Sequence, residues 1–439
     1  MAGATDKNGG GFAALPSAAG KTGLPVLDEV RQLGADALGG GLEFPTVRHE
    51  DWRFTNLAPV GKTAYELPSK TPEAEKDFSD RLIKGMGAPA LVFVNGFYSA
   101  SLSNPPAGNG GAVVCALSEA ARLYPDVVAE NLGKLSNCKD EYFTALNTAL
   151  FADGAFVHIP TGSEIKDPVY IVYMTETGGA PLVTSPRNLI VAGDNCRAKI
   201  IEHYISGGDG NCLSNTLTEV SVGAESAVEH YCLEFESGGG VGVSTLNMIQ
   251  QKDSNTVSHS VLTGGAIVRN NVHPKLAGTG CNSLINGLFM PTGRQHMDNF
   301  MKVEHAAPHC DSRQLYNGVL NEKGRGVFHG RIIVHEGAIK TDAKQTNRNL
   351  LLSDTAQIDT KPQLEIYNDD VKCTHGATIG QMDEEAVFYL RSRGIPESEA
   401  RAVILRGFTG ESLALMTVEP VRDFLEKVSE QWFTDALDG

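Results

Sequence analysis

Short apolar or alternating runs recur through the middle of the chain, from Ala155 to about Gly380, and turns rich in Gly, Asn and Asp separate them. Alternation of apolar and polar positions with a period of two is typical of β-strands, whereas the 3.6-residue period of a helix is almost absent here. A stretch of this kind folds as a sandwich, a barrel or a solenoid. The runs are AFVHI, PVYIVYM, RNLIVAG, AKIIEHYI, TLTEVSV, AVEHYCLEF, GAIVRN, VFHGRIIV and QLEIY.

A recurring glycine motif favours the solenoid among these three architectures. We interpret the glycines within Asn286–Leu288, Asn317–Val319 and His329–Arg331 as turns between stacked coils. The spacing of the three motifs is uneven and the sequence shows no strict period. The pattern therefore predicts a mainly β fold and favours a parallel β-solenoid, without excluding the sandwich and the barrel.

Helical spacing appears before this region. Apolar residues between Leu24 and Gly87 are spaced as in a helix only in patches, which predicts a small helical domain. Residues 1–23 are rich in Gly, Ala and Ser and offer little apolar surface for a core, so we expect them to be mobile. The run from Ala90 to Leu102 predicts a strand, a turn and a second strand, and Asp140 to Gly154 predicts a capped amphipathic helix that ends at the glycine.

After Gln381 the pattern is helical again. Pro396 suits the first position of one helix, and an apolar stripe from Val418 to Phe433 predicts another. Such a stripe belongs first to a core, although a helical appendage on a long β body also suits docking to a partner. We therefore divide the chain into an N-terminal mobile and helical part, a β-solenoid core with a helical insertion near 117–152, and a C-terminal helical domain, with boundaries at 1–87, 88–380 and 381–439.

Composition narrows the class of protein. The 439 residues are 41% hydrophobic and 21% charged, as in a globular protein of one to three domains. A formal charge of −16 without a Lys/Arg-rich run argues against binding to nucleic acid. No apolar stretch is long enough to predict a membrane span, and the N-terminus lacks the pattern of a secretory signal. The eight cysteines form no CxxC pair, so we expect a reducing, cytoplasmic compartment.

Two short motifs suggest chemistry that their surroundings do not support. Gly20 to Thr22 reads GKT, as in a phosphate-binding loop, yet Leu15 occupies the position of the first glycine and no apolar strand precedes it. Asp369 and Asp370 could suggest a carboxylate pair for glycoside chemistry, but adjacent strand residues point to opposite faces. We therefore reject the phosphate loop and interpret the two aspartates as part of a turn or a strand edge.

A cluster of polar residues at His305, His309, Cys310 and Asp311 has the short spacing of metal ligands. Pro308 interrupts a helical pairing of the two histidines, and no second pair of ligands with metal-site spacing follows. We interpret this segment as a structural corner, and its role stays unassigned at this stage.

One cysteine and one histidine, two positions apart, end a strand-like run between Lys361 and Gly380. Residues i and i+2 of a strand leave the same face, so Cys373 and His375 should point together, about 6 to 7 Å apart along the strand. A soft thiolate beside an imidazole suits iron, zinc or a sulfur-transfer step. The alternatives are a small core cysteine beside a hydrogen-bonded turn histidine, or a nucleophilic dyad that would need an orienting group and an oxyanion hole.

Several long segments resemble the SufB/SufD family of iron–sulfur cluster assembly proteins, and within it the SufD branch. The resemblance is dense from about Cys310 to Phe408 and thinner before it. Its segments are EDWRFT (Glu50–Thr55), CDSRQLYNGVL (Cys310–Leu320), GVFHGRIIV (Gly326–Val334), AIKTDAKQTNRNLLLSDTA (Ala338–Ala356), TKPQLEIYNDDVKCTHGATIG (Thr360–Gly380) and FYLRSRGI (Phe388–Ile395).

The resemblance implies a central right-handed parallel β-helix between an N-terminal helical region and a C-terminal helical domain. It also implies a complex in which this chain pairs with SufB through the β-helix, while its C-terminal helices dock the SufC ATPase, with Arg406–Leu415 as the expected contact region. Asn347 stands where SufB has a cysteine, and Gly376 where SufB has a glutamate. The resemblance therefore implies the SufD-type partner of SufB.

In this family His375 matches a SufD histidine proposed as a ligand of the nascent cluster, and Cys373 matches the neighbouring cysteine. We expect a non-catalytic scaffold subunit that contributes both residues to a transient iron–sulfur cluster shared with SufB and that supports iron entry. Two other functions stay open, namely a purely structural partner of SufB and a β-solenoid enzyme acting on a polysaccharide. The resemblance also leaves open a reduced flavin bound by the complex and a homodimer of the isolated chain.

Overall fold

The computed structural model has a β-solenoid of about seven turns at its centre and helices towards both ends of the chain. The predicted fold class, mainly β with a solenoid core flanked by helices, is confirmed. The structure describes residues 10–69, 78–106, 111–207 and 211–438. Residues 1–9 of the segment expected to be mobile lie outside this part. Farther along that segment, Phe12 and Leu15 are buried in one core cluster with Phe44 and Tyr142.

Helices and short strands precede the regular coils. The first helices are α1 (Leu15–Ala18), α2 (Pro25–Gly39) and α3 (Ala58–Lys62). An antiparallel hairpin, the predicted strand–turn–strand, and a further strand follow as β1 (Leu91–Val94), β2 (Phe97–Tyr98) and β3 (Val113–Ala116). The next helices are α4 (Leu117–Leu123), α5 (Pro125–Asn131) and α6 (Tyr142–Leu150). The sheets then grow through β4 (Ala155–Ile159), β5 (Val169–Glu176), β6 (Leu182–Thr184) and β7 (Arg187–Ala192).

Each coil contributes one strand to each of two sheets. The even-numbered strands form one sheet from β8 to β20, and the odd-numbered strands form the other from β9 to β19. The first three coils contain β8 (Arg197–Gly207), β9 (Cys212–Val222), β10 (Ala227–Phe235), β11 (Val241–Gln250), β12 (Asn255–Leu262) and β13 (Ile267–Leu276). The later coils contain β14 (Asn282–Phe289), β15 (His296–His305), β16 (Asp311–Leu320), β17 (Arg325–Val334), β18 (Asp342–Leu351), β19 (Gln357–Ile366) and β20 (Lys372–Gln381).

The strands stay in register although the coils differ in length. Every strand of these coils pairs in parallel with the strand one coil earlier. The even-numbered strands start at residues 197, 227, 255, 282, 311, 342 and 372, so successive coils are 30, 28, 27, 29, 31 and 30 residues long. The turns absorb these differences, which explains why the sequence shows no strict period.

The three glycine motifs are not turns, which corrects the interpretation from the sequence. Gly287, Gly318 and Gly330 lie inside β14, β16 and β17. A Cβ atom on Gly287 would lie 2.1 Å from the ring of Tyr316, and one on Gly318 would lie 2.4 Å from the ring of Phe289. Glycine at these positions leaves room for side chains of the neighbouring strands inside the solenoid. The solenoid prediction is confirmed, but the interpretation of the glycine motifs as turns, on which it was based, was wrong.

Helix α6 also differs from the prediction. All nine of its residues are buried, because it packs against both α2 and β9. The amide of Asn147 donates to the carbonyl oxygens of Pro186 at 2.8 Å and Asn215 at 2.7 Å. The helix ends at Leu150, before Gly154, and no side chain caps its N-terminus. The predicted helix is therefore present, but its capped N-terminus, its exposed polar face and its end at glycine were wrong, because a helix enclosed by two layers needs no polar face.

The C-terminal helices α7 (Glu384–Ser392), α8 (Glu397–Leu413) and α9 (Glu419–Asp438) include contacts with the sheet of even-numbered strands. The amide of Asn286 in β14 donates to the carbonyl oxygen of Ser412 at 2.8 Å, and that of Asn317 in β16 donates to Phe408 at 3.1 Å. Pro396 is the N-cap of α8, one position before its predicted place. No helix in the described part of the chain is long and apolar enough to cross a membrane.

Candidate functional site

The solenoid ends with two strand edges that no other described strand covers. Strand β19 pairs only with β17, and β20 pairs only with β18, so each is the last strand of its sheet. Such an edge presents a row of backbone N–H and C=O groups to whatever lies next to it. We call the surface formed by β19 and β20 the open end.

The alternation of side chains in β18 shows which residues of β20 face the interior. Ala343 and Gln345 are buried, whereas Lys344 between them is exposed. Cys373 lies in register with Ala343, and His375 lies in register with Gln345. Because successive residues of a strand point to opposite faces, both side chains belong to the inner face. The two candidate site residues thus lie on one face of the last strand, at the open end.

Cys373 is half-buried at this position. Its side chain packs against a small apolar cluster that contains Ile332, Val334 and Ala343. Burial raises the pKa of the Cys373 thiol, and the negative charge of Asp342 raises it further. The thiol is therefore protonated at neutral pH, and a metal ion that coordinates the sulfur must displace the proton.

His375 is exposed beside it. The parallel register aligns His375 with one inward-pointing residue in each of the five preceding even-numbered strands. We call these aligned residues the polar column, because four of the five are polar. The nearest two members are hydrogen-bonded, because the Nε2 of Gln345 donates to Oε1 of Gln314 at 2.9 Å. This column was not predicted from the sequence, where its signal is a polar residue that recurs about once per coil at the same inward position. Its members before His375 are Gln345, Gln314, Ile285, Ser258 and His230.

The described residues contain no group of three or more His, Cys, Asp or Glu side chains placed to hold a metal ion. Cys373 and His375 supply two donor atoms, whereas an iron–sulfur cluster is usually held by four. The arrangement can therefore hold part of a cluster or one iron ion, with the remaining ligands supplied from outside this chain.

The histidine cluster near His305 does not converge on one point. His305 is buried, its Nε2 lies 2.8 Å from the hydroxyl of Ser312, and burial lowers its pKa to about 4. Cys310 donates to the carbonyl oxygen of Gly278 at 3.2 Å, and His309 is exposed with a φ of 58°. These contacts hold the segment in a corner between two coils.

The two aspartates considered as a carboxylate pair lie in the turn between β19 and β20. The carboxylate of Asp370 pairs with the ammonium of Lys340 at 2.8 Å. The backbone N–H of Lys340 also donates to the carbonyl oxygen of Asp370 at 2.7 Å. Asp370 therefore joins two successive turns of the solenoid.

The segment Glu50–Thr55 docks on residues of the odd-numbered strands. The guanidinium carbon of Arg269 lies 3.9 Å from the ring centroid of Trp52, and its Nη1 pairs with Asp298 at 2.6 Å. Lys361 of β19 pairs with the first residue of the segment, also at 2.6 Å. The segment connects the N-terminal region with the last coil, a role that the sequence analysis had not assigned to it.

Comparisons with known proteins relate most of the chain to one family. A family model described as the SufBD core domain of the SUF system for FeS cluster assembly matches residues 173–408, and one for the SufBD N-terminal region matches residues 17–171. The chain is 34% identical to the iron–sulfur cluster assembly protein SufD of Escherichia coli (strain K12), over 84% of either chain. It is 32% identical to the SufBD family protein slr0076 of Synechocystis sp., over 88% of this chain and 87% of the relative. It is 29% identical to SufD of Bacillus subtilis (strain 168), over 87% of either chain.

Proposed function

We propose that this chain, which belongs to the SufBD family of iron–sulfur cluster assembly proteins, serves as a scaffold subunit without catalytic activity of its own. The chain is a SufD-like assembly protein, and the proposal concerns how it takes part in assembly. The observation that carries it is the position of Cys373 and His375, which share the inner face of the last strand at the open end.

In this proposal Cys373 and His375 are ligands of a nascent cluster. Thiolate and imidazole both bind iron, and a shared site at a subunit boundary makes two donors from one chain sufficient. An incomplete set of ligands also suits transient assembly, because a cluster held by four thiolates of one chain is hard to release. The polar column behind His375 offers hydrogen-bonding groups along the inside of the solenoid and supports a role in iron entry.

SufB is the proposed partner at the open end. The free edges of β19 and β20 can extend their sheets by pairing with strands of another chain, as in β-augmentation. Exposed apolar side chains lie at the same end, since Ile379 is 53% exposed and Tyr367 is 60% exposed. Burial of such side chains favours association, so the edge supplies hydrogen bonds and the side chains supply apolar contact.

The C-terminal helices are the proposed docking site of the SufC ATPase, with Arg406–Leu415 of α8 as the expected contact region. The hydrogen bonds from Asn286 and Asn317 connect this helix directly to the solenoid sheet. A movement of α8 driven by the ATPase would therefore act on β14 and β16, and through the shared sheet on β20. The ATP site itself lies on SufC in this proposal.

The test is cluster reconstitution on the complex co-expressed with SufB and SufC, followed by absorption spectroscopy. We expect His375→Ala to lose most of the cluster absorbance while size-exclusion chromatography still shows the assembled complex. Cys373→Ser, which keeps a side chain of similar size, should also lower it. His335→Ala removes a histidine away from the last strand and serves as the matched control. An undiminished cluster in both site variants would reduce this chain to a structural partner of SufB.

A further inference from the structure

A cleft of about 290 Å³ lies near the N-terminal helices, away from the open end. Neither Cys373 nor His375 lines it. Its walls come from the loop before α2, α2 itself, the turn between β1 and β2, α4 and the end of α6. The polar side chains of the lining that matter here are Lys21, Arg31, Arg122 and Ser185.

All charged residues in this lining are cations, namely Lys21, Arg31 and Arg122. No carboxylate in the described ranges forms an ion pair with any of the three. This is unusual for a chain with a formal charge of −16, in which acidic partners are abundant. The charges of Asp28 and Asp153 act on Arg31 and Arg122 and offset part of this positive charge, but neither carboxylate lines the cleft. A lining whose charged groups are all cations attracts anions.

Arg31 is the most informative of the three. It is 8% exposed, and its Nε donates to the carbonyl oxygen of Ala149 at 3.2 Å. The other two arginines that are buried in the described residues, Arg187 and Arg269, each pair with a carboxylate at 2.6 Å. Arg31 forms no ion pair of this kind with a described residue. The negative charge of Asp28, one turn earlier in α2, still acts on it, and its guanidinium carbon lies 6.0 Å from the ring centroid of Phe151. No described carboxylate hydrogen-bonds to this guanidinium, so an anion in the cleft would add a charged partner to it.

A buried hydroxyl in the same lining also lacks a partner. Ser185 is 6% exposed, and its Oγ has no hydrogen-bond partner in the described structure. Buried polar atoms are nearly always hydrogen-bonded, so an unpaired one in a cleft wall indicates a missing ligand or water. Ser185 is thus a deeply buried group, in the same lining as Arg31, that a bound anion would satisfy.

The rejected GKT motif contributes to this cleft in another way. The carboxylate of Asp28 accepts hydrogen bonds from the backbone N–H and the hydroxyl of Thr22, both at 2.7 Å. These bonds fix the loop before α2, and Lys21 of that loop lines the cleft. The motif is therefore not a nucleotide-hydrolysing phosphate loop, although its lysine still faces a site of positive charge.

The remaining walls are largely apolar. Leu27, Leu150 and Val183 are buried, and Leu24 and Phe97 are half-buried. An anion that filled only the charged part would leave this surface in contact with water. Apolar lining with a few placed polar groups is typical of small-molecule sites, and 290 Å³ lies at the small end of their volume range.

We propose that this cleft binds a small phosphate ester, with the phosphate held by Lys21, Arg31 and Arg122 and the organic group against the apolar wall. A phosphate monoester carries a charge between −1.5 and −2 at neutral pH, about twice that of a carboxylate, and so suits three cations better. Guanidinium groups also match the oxygens of phosphate in bidentate geometry. The inference is independent of the proposed assembly function.

The experiment is isothermal titration calorimetry on the full chain. Four probes are compared: phenyl phosphate, inorganic phosphate, benzoate and benzyl alcohol. We expect phenyl phosphate to bind most tightly, inorganic phosphate and benzoate more weakly, and benzyl alcohol not at all. A short phosphoserine peptide tests a phosphate carried by another protein, and it should bind less tightly than phenyl phosphate because the cleft is small. Tighter binding of the peptide, or equal binding of all anions, would overturn the assignment to a small ester.

Variants at exposed positions complete the test without disturbing the core. Lys21→Ala with Arg122→Ala should weaken phenyl phosphate binding about tenfold or more, because charge-assisted contacts are lost. Lys134→Ala with Arg294→Ala removes the same two charges from exposed positions outside the lining and should bind like the wild type. Thermal unfolding should be unchanged in both. Equal weakening by both pairs would mean unspecific attraction, and no loss in the first pair would remove the cleft as the site.

Discussion

Glu234 is an acidic side chain enclosed by the solenoid. It is 1% exposed, and its neighbours include the thiol of Cys232, which donates to Oε1 at 3.7 Å. Burial, followed by the negative charge of Glu236, raises the pKa of Glu234 to about 8. The carboxyl group is thus protonated in the folded protein at neutral pH, while the same group in the unfolded chain is ionised.

This shift predicts a stability that depends on pH. The contribution of the protonated Glu234 is fully present below the unfolded pKa of 4.5 and is lost as the pH rises through about 8. Between these values the group lowers the free energy of unfolding by up to about 1.4 kcal/mol per pH unit. Glu234→Gln removes the titration. As the pH rises from 5 to 8, we therefore expect the free energy of unfolding of the variant to increase relative to that of the wild type.

Urea unfolding at several pH values measures this difference. Glu225→Gln, at an exposed position, changes the same type of residue and should run parallel to the wild type. A constant offset between Glu234→Gln and the wild type across the pH range would show that Glu234 is ionised in the folded protein.

The turns between strands explain the positions of three of the eight cysteines. In the even-numbered strands from β8 to β18, the residue that precedes the strand carries a small donor side chain that bonds to the turn before it. Ser254 donates to the carbonyl oxygen of Gln251 at 2.6 Å, and Cys281 donates in the same way to Gly278 at 3.0 Å. Cysteine, serine and threonine are interchangeable in this role, which no CxxC spacing would reveal. The column consists of Cys196, Ser226, Ser254, Cys281, Cys310 and Thr341.

Contacts between strands also predict the effect of adding one methyl group. In Gly287→Ala the new Cβ would lie 2.1 Å from the ring of Tyr316, which is fully buried. We expect the free energy of unfolding to fall by about 1 to 3 kcal/mol, the usual cost of overpacking. Chemical denaturation with urea measures it.

The matched control for this substitution is Gly376→Ala, also in a strand. A Cβ there would meet no atom within 4 Å, so its stability should stay within about 0.5 kcal/mol of the wild type. If Gly287→Ala were as stable as Gly376→Ala, the ring of Tyr316 would have room to shift, and glycine would not be required at that position.

Features that depend on residues close together in the sequence could be predicted, and features that join distant residues could not. The shared face of Cys373 and His375 depends on two residues in one strand, so alternation alone was enough. The fit of Gly287 to Tyr316 joins residues one coil apart, and coils of 27 to 31 residues hide the correspondence. The cationic cleft was also missed, because it brings together separate loops and helices. Resemblance to a known family supplied the rest of the candidate site.

Other described segments of the protein contact the two sheets, but none of them covers the open end. The segment Glu50–Thr55 holds residues of the odd-numbered strands through Arg269 and Lys361, and the C-terminal helices contact the even-numbered sheet. Among the described residues, these elements leave uncovered the strand edges of the last coil, where Cys373 and His375 lie. The inner face of a β-solenoid is normally closed by the next coil, so the open end is the surface at which a partner would complete the stack.

This position of the open end gives a test of assembly that is separate from cluster binding. Ile379 lies on the inner face of β20, four residues after His375, and is 53% exposed. Ile379→Glu places a charge where an apolar contact with SufB is proposed, and burial of an unpaired charge is costly. We expect the variant to fold normally yet to elute without SufB in size-exclusion chromatography. Ile339→Glu, at another isoleucine that is 43% exposed but lies in the turn before β18, should keep the complex. Co-elution of Ile379→Glu with SufB would place the interface elsewhere and leave Cys373 and His375 without the partner ligands that the proposed cluster needs.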